Sequence, residues 1–178
     1  DAAKISVSGG NLEVDANNFA SSWLLSCAGA GGGAAGVGAS VSIGVNSTET
    51  IARIGNYTEV NASGTTHVHA DSMENVNTIT AAGAGGGSAG VSGSLAANVI
   101  VSKTEASIGD YAKVNQAAPG QTVDVQASDR IVSVAVTGSG AGGGAAGVGI
   151  AANVTVALNT TSAYIGSGAE VSAEQDVR

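Results

Sequence analysis

Three glycine clusters and one histidine pair are the parts of this sequence whose residue types and spacing could carry chemistry. "GAGGGAAGVG" at Gly29–Gly38 returns as "GAGGGSAGVS" at Gly83–Ser92 and as "GAGGGAAGVG" at Gly140–Gly149. Each copy contains G-x-G-x-x-G: Gly31/Gly33/Gly36, Gly85/Gly87/Gly90 and Gly142/Gly144/Gly147. That spacing cradles a pyrophosphate when it joins a strand to a helix N-terminus. Here the following residues alternate and are rich in Gly, Val and Ser, which make a poor helix. No G-K-[S/T] occurs, and no acidic residue recurs in phase for a ribose: Glu49 becomes Lys103 and then Thr160. The glycines are therefore not read as a nucleotide site, and no cofactor is expected.

His67 and His69, in "HVHA", share one face of a strand opposite Val68. A His-x-His pair can hold a metal if two further ligands converge on it. The equivalent positions elsewhere are Glu13 and Asp15, then Asp124 and Gln126, so the column is expected to face solvent and to hold no metal. Acidic residues otherwise stand singly, and the calcium-binding G-G-x-G-x-D nonapeptide is missing. No Ser/His/Asp set or recurring carboxylate pair suggests catalysis. No enzyme is expected.

The elements that carry these residues repeat. Gly29, Gly83 and Gly140 are equivalent, as are Ile54, Ile108 and Ile165, and Val14, Val68 and Val125. The second interval is longer, and the extra residues fall in "NQAAPGQT", around the sole proline, Pro119, which reads as a surface turn. Repeat units run at approximately 8–60, 61–114 and 115–171. Residues 1–7 and 172–178 belong to neighbouring repeats, so the chain reads as three units of a longer array. Within each unit the dominant period is two, as in Val148, Ile150, Ala152, Val154, Val156 and Leu158, which is strand alternation.

The fold class that follows is all-β: one continuous β-solenoid, a right-handed parallel β-helix of about three 54–57-residue repeats. Each unit is expected to make about three coils of roughly 18 residues, giving a rod of roughly 40 Å at about 4.8 Å per rung. The alternative is an antiparallel hairpin array hinged at the Gly-rich segments. With 28 Gly but a single Trp and a single Phe, the core must be thin and close-packed. The structural packing residues are then Gly29, Gly31, Gly32 and Gly33, with Gly83, Gly85, Gly86, Gly87, Gly140, Gly142, Gly143 and Gly144. Lacking a Cβ, they permit close approach, either of coils inside one chain or of one chain against another. Trp23 and Phe19 have no aromatic counterparts in the other units and read as capping or core filling; the lone Cys27 reads as a small buried apolar residue.

The net charge of −8, with Lys and Arg scattered singly, argues against nucleic acid. No strongly apolar run suggests membrane insertion. The recurring "GAGGGAAGVG" followed by V-x-V, and the A-x-I-G-x-x-A-x-V-x-A pattern as it stands at Ala163–Ala173, resemble the repeat regions of large bacterial filamentous adhesins. These are the filamentous haemagglutinin-like and leukotoxin-like proteins exported by two-partner secretion or as autotransporter passengers. The resemblance implies a secreted, extracellular stalk at the bacterial cell surface. Its partners would be neighbouring repeats, identical chains in a filament or bundle, or a host surface receptor. No binding residue transfers with it. The alternative is a repetitive flat-faced module for glycan or ice. Exposed aromatics, which a glycan face wants, do not recur, and the Thr column at Thr78–Thr80 is broken by Leu24–Ser26 and Ala135–Thr137.

Overall fold

A computed structural model describes residues 3–116 and 120–178. The turn assigned to Pro119 lies outside the described residues. The chain begins with β1 (Lys4–Val7), a long β2 (Leu12–Gly32), a long β3 (Ala35–Ile54) and a short β4 (Glu59–Ala62). The cycle repeats through β5 (Thr66–Gly86), β6 (Ala89–Ile108) and β7 (Lys113–Val114). It repeats again through β8 (Gly120–Gly143), β9 (Ala146–Ile165), β10 (Glu170–Val171) and β11 (Ala173–Val177). Three parallel sheets result: a base sheet β1-β4-β7-β10, a front sheet β11-β8-β5-β2 and a back sheet β3-β6-β9.

The fold is an all-β parallel solenoid. Consecutive long strands such as β2 and β3 lie in different sheets and pair with their equivalents one repeat away, so the antiparallel hairpin array does not form. The coil count differs from the sequence expectation. Leu12 pairs with Thr66 and Thr66 with Val123, so one whole repeat makes one coil rather than three. The register runs unbroken from Leu12↔Thr66 to Gly32↔Gly86. The physical reason lies in β2: between Val14 and Ala28 there is no Gly or Pro to turn the chain. The long strands therefore extend about 70 Å at the usual rise, while three coils stack only about 10 Å from first to third.

The cross-section has two parts. Near the base sheet the three sheets enclose a wedge of aliphatic side chains, among them Ile54, Val60, Val68, Ile108, Val114 and Val123. Beyond it the front and back sheets run on alone as a two-layered fin, closed at its tip by the Gly-rich segments. In the fin the outward positions of β3 are Val37, Val41, Ile43 and Val45, all exposed, and the inward ones are Gly36, Gly38, Ser40, Ser42 and Gly44. Along β3 near the tip the alternation is thus turned over: the large β-branched residues face out and the small or polar ones face in, while nearer the base Val76 and Ile100 still point inward.

Glycine at the tip explains this inversion. A Cβ on Gly36 would overlap the carbonyl oxygen of Gly85, and one on Gly38 that of Gly83. A Cβ on Gly90 would lie 2.5 Å from Gly142 O, and one on Gly147 2.5 Å from Ala141 O. Two sheets normally pack about 10 Å apart because side chains interdigitate between them. Here backbone meets backbone, and no Val or Ile fits between. Contacts such as Gly36 against Gly85 also show a stagger, in which a back strand lies against the front strand of the following coil.

Candidate functional site

The twelve glycines singled out from the sequence occupy three settings. Gly32, Gly86 and Gly143 end the front strands, where a Cβ would overlap the carbonyl oxygens of Ala35, Ala89 and Ala146 inside the tip turn. Gly87 and Gly144 stack over the carbonyls of Gly33 and Gly87, and Gly33 itself has open space around a Cβ. Gly29, Gly31, Gly85, Gly140 and Gly142 also meet nothing within 4 Å, and Gly83 meets only Ala28 O at 4.0 Å. Those six make a flat outer patch on the front sheet. The glycines that bring the layers together, Gly36, Gly38, Gly90, Gly147 and Gly149, were not singled out. The signal was present: in each V-x-V run they alternate with the exposed valines.

No helix follows any glycine cluster; each runs directly into β3, β6 or β9. The strand-to-helix context of a phosphate cradle is thus replaced by a strand-to-strand arch. His67 and His69 project from the outer face at the root of the front sheet, over the buried Val68. They line a shallow groove with Glu13, Asp15, Asp124 and Gln126, and His67 Nδ1 lies 3.5 Å from Asp124 Oδ2. Among the described residues no three His, Cys, Asp or Glu side chains converge as metal ligands.

Three expectations are corrected. Cys27 is exposed, because it sits at an outward position of β2. Trp23 and Phe19 do not fill the core: they are 73% and 67% exposed on the same outer face. Exposed aromatics do recur, since Tyr57 and Tyr111 occupy equivalent turns one coil apart, stacked with centroids 5.3 Å apart. Both take positive φ, as does Gly168 at the third equivalent position, where a Cβ would strike the Tyr111 ring. Tyr111 is therefore sandwiched between neighbours, and the pair acts as a ladder between turns. "IGNY" and "IGDY" carried this signal.

Two polar ladders fix the register between coils. In the base sheet Lys4, Glu59, Lys113 and Glu170 form one column of alternating charge. Lys4 Nζ is 2.9 Å from Glu59 Oε1, and Lys113 Nζ is 3.8 Å from Glu170 Oε2. The Lys4 hydrogen bond holds the Glu59 carboxyl below its ordinary value. In the turn, Asn56 Oδ1 accepts from Asp110 N at 3.0 Å, and Asp110 Oδ1 accepts from Ser167 N at 2.8 Å.

Inside the fin the polar residues bond across the layers. Ser26 and Ser40 hydroxyls are 2.7 Å apart, and Asn98 Nδ2 donates to Thr78 Oγ1 at 2.9 Å. Glu74, 1% exposed, accepts from Thr48, from Ser72 at 2.8 Å and from Ser102 at 2.9 Å. Burial works to raise its pKa, but these hydroxyl donors outweigh it, and Glu74 titrates below the ordinary value. Neighbouring Asp129 is pushed the other way, first by burial and then by the Glu74 charge. Among the described residues Glu74 Oε2 and both Asp129 carboxyl oxygens have no other hydrogen-bond partner, so one proton held between the two carboxyls would satisfy both.

The two outer faces of the fin differ. The back face is charge-free over 35–47 and its equivalents, with Val37 72% and Ile150 66% exposed. Charge begins beyond it, where Lys103 bridges Glu49 at 3.0 Å and Glu105 at 3.4 Å. The front face interrupts its apolar residues with Asn75, Asn77 and Arg130. No protein-family model, curated protein or solved structure matches this chain. Among the described residues no helix is long and apolar enough to cross a membrane.

Proposed function

We propose that this chain is a structural repeat segment of a secreted bacterial adhesin or filament at the cell surface, built to stack coil on coil. The observation that carries the reading is the one-coil-per-repeat parallel register, along which Lys4, Glu59, Lys113 and Glu170 line up in alternating charge on the base sheet. The stagger adds support. It leaves the inward positions of β9 exposed, where the front strand of a further coil would cover them. Its partners in this reading are neighbouring repeats first, then identical chains or a surface receptor. With one repeat spent on each rung, every added repeat raises the stack by a single rung while the breadth stays that of the long strands, which suits a ribbon with wide faces.

Small-angle scattering of the monomeric chain tests the shape this requires. A plate about 70 Å long has a radius of gyration of about 22 Å at these strand and rung spacings. A compact globule of equal length would give about 16 Å. Chains with repeats added in phase are expected to thicken by about 4.8 Å per repeat. A globular value, or separate beads on lengthening, would overturn the proposal. The second reading, a flat module for glycan or ice, draws on the flat back face. That face carries Val, Leu and Ile where those ligands would want hydroxyls or open rings.

A further inference from the structure

We infer that the back face of the fin is a self-association surface, on which a second copy of this chain packs back sheet to back sheet. The inference deepens the structural reading above and rests on it for the stacked-coil geometry.

The occupant follows from size, chemistry and relief. Residues 35–47 and their equivalents span about 43 Å along the strands and about 14 Å across three rungs, or about 600 Å². That equals the largest apolar patch expected on a soluble monomer. Two such faces in contact would bury about 1,200 Å², the lower end of a stable interface. Each added coil extends the patch on both partners, so pairing strengthens with the number of repeats.

The face holds no charge and no hydrogen-bonding side chain from Val37 to Val45, so a partner surface must be equally bare. The back face of another copy meets that condition. It is also not smooth. Ala39, Val41, Gly93, Leu95, Ile150 and Ala152, together with Ser40 and Ser94, line a shallow depression of about 320 Å³. Gly93 opens the depression, and the exposed Ile150 stands beside it in the same column. A copy turned by a two-fold axis can set its exposed Ile150 side chain toward the partner's Gly93, which is the relief an isologous contact needs.

A lipid surface is the competing occupant, and two features disfavour it. The front sheet exposes Trp23, Leu25 and Val136 but interrupts them with the outward Asn75 and Asn77, so the fin does not offer hydrocarbon two equally bare sides. The outer strands β3 and β9 of the back sheet also leave backbone donors and acceptors that hydrocarbon cannot satisfy.

Sedimentation velocity of the full chain over a hundredfold concentration range tests the inference. A reversible monomer–dimer equilibrium is expected. Ile43→Lys with Val154→Lys places two charges at the centre of the face and should shift the midpoint at least tenfold toward monomer. Both side chains point outward, so circular dichroism and the melting curve should stay near the parent's. Ile79→Lys with Val136→Lys, on the front face, should leave the equilibrium unchanged. A chain that is monomeric throughout would overturn the pairing while leaving the plate-like scattering intact, which separates this failure from failure of the stacking proposal. Dissociation by the front-face pair alone would overturn it as well. So would co-flotation with phosphatidylcholine vesicles in a chain that forms no dimer.

Discussion

The wedge at the base and the fin beyond it are built from the same strands by opposite rules. In the wedge, Ile54, Val68, Ile108 and Val114 are buried and the charges of Lys4, Glu59, Lys113 and Glu170 lie outside. In the fin, Ser40, Thr78, Ser94 and Asn98 are buried, and Val37, Ile43 and Ile150 lie outside. The difference is one of spacing between layers. A third sheet holds the front and back sheets apart at the wedge, and large side chains fill the gap. At the tip nothing holds them apart, and glycine lets them collapse to backbone contact. Stability is therefore concentrated in the wedge. The fin buries a smaller apolar set, Val76 and Ile100 with alanines such as Ala96, and hydroxyls such as those of Thr80, Ser92 and Ser94 are left without partners, at about 1–3 kcal/mol each.

The largest effect should come from the wedge. Ile108→Ala removes a fully buried side chain that packs in every direction. A loss of about 3–4 kcal/mol is expected in urea unfolding, with all three sheets melting together. A loss below about 1 kcal/mol would mean that the wedge is not the stable part. Gly90→Val comes next. Its Cβ lands 2.5 Å from Gly142 O, so the layers must part. We expect about 1–3 kcal/mol, felt as faster amide exchange over the tip with the wedge unchanged. Uniform loss of protection would erase the distinction between the two regions.

The third prediction uses the fin's carboxyl pair. Glu74 is lowered, so its stabilising share is present at higher pH and lost as pH falls through its folded value. Asp129 is raised, so its share is present at low pH and lost as pH rises through its folded value. Melting temperature should peak between the folded values of the two groups, and Asp129→Asn should remove the decline on the alkaline side of that peak. An unchanged pH profile in the variant would show that the pair does not share a proton. The smallest effect belongs to the exposed ladder. Glu59→Lys should lower the melting temperature slightly at low salt and not at all at high salt, because exposed pairs are weak and screened.

The repeat and its phase were legible in the sequence, because a parallel solenoid stacks equivalent residues and so writes its register as a period. Val14, Val68 and Val125 do fall in one column. The number of coils per repeat was not legible from the period alone, since one coil and three coils repeat identically. The missing turn residues of β2 carried that information. Alternation revealed that the strands have two faces but not which face is inside. Burial of Val is the default, and it fails here because Gly36 and Gly38 share the opposite face and draw the other sheet against it. Cys27, Phe19 and Trp23 were misplaced by the same default. The bare back face follows from the same inversion, and it becomes visible once the inward glycines are known.

The base-sheet ladder has a consequence for how such an array can change over time. Tandem repeats gain and lose copies by unequal recombination. Loss of a single coil would bring Lys4 against Lys113, like against like, whereas loss of two would restore a Lys4–Glu170 pair. The column thus distinguishes odd from even copy number by whether like or opposite charges meet.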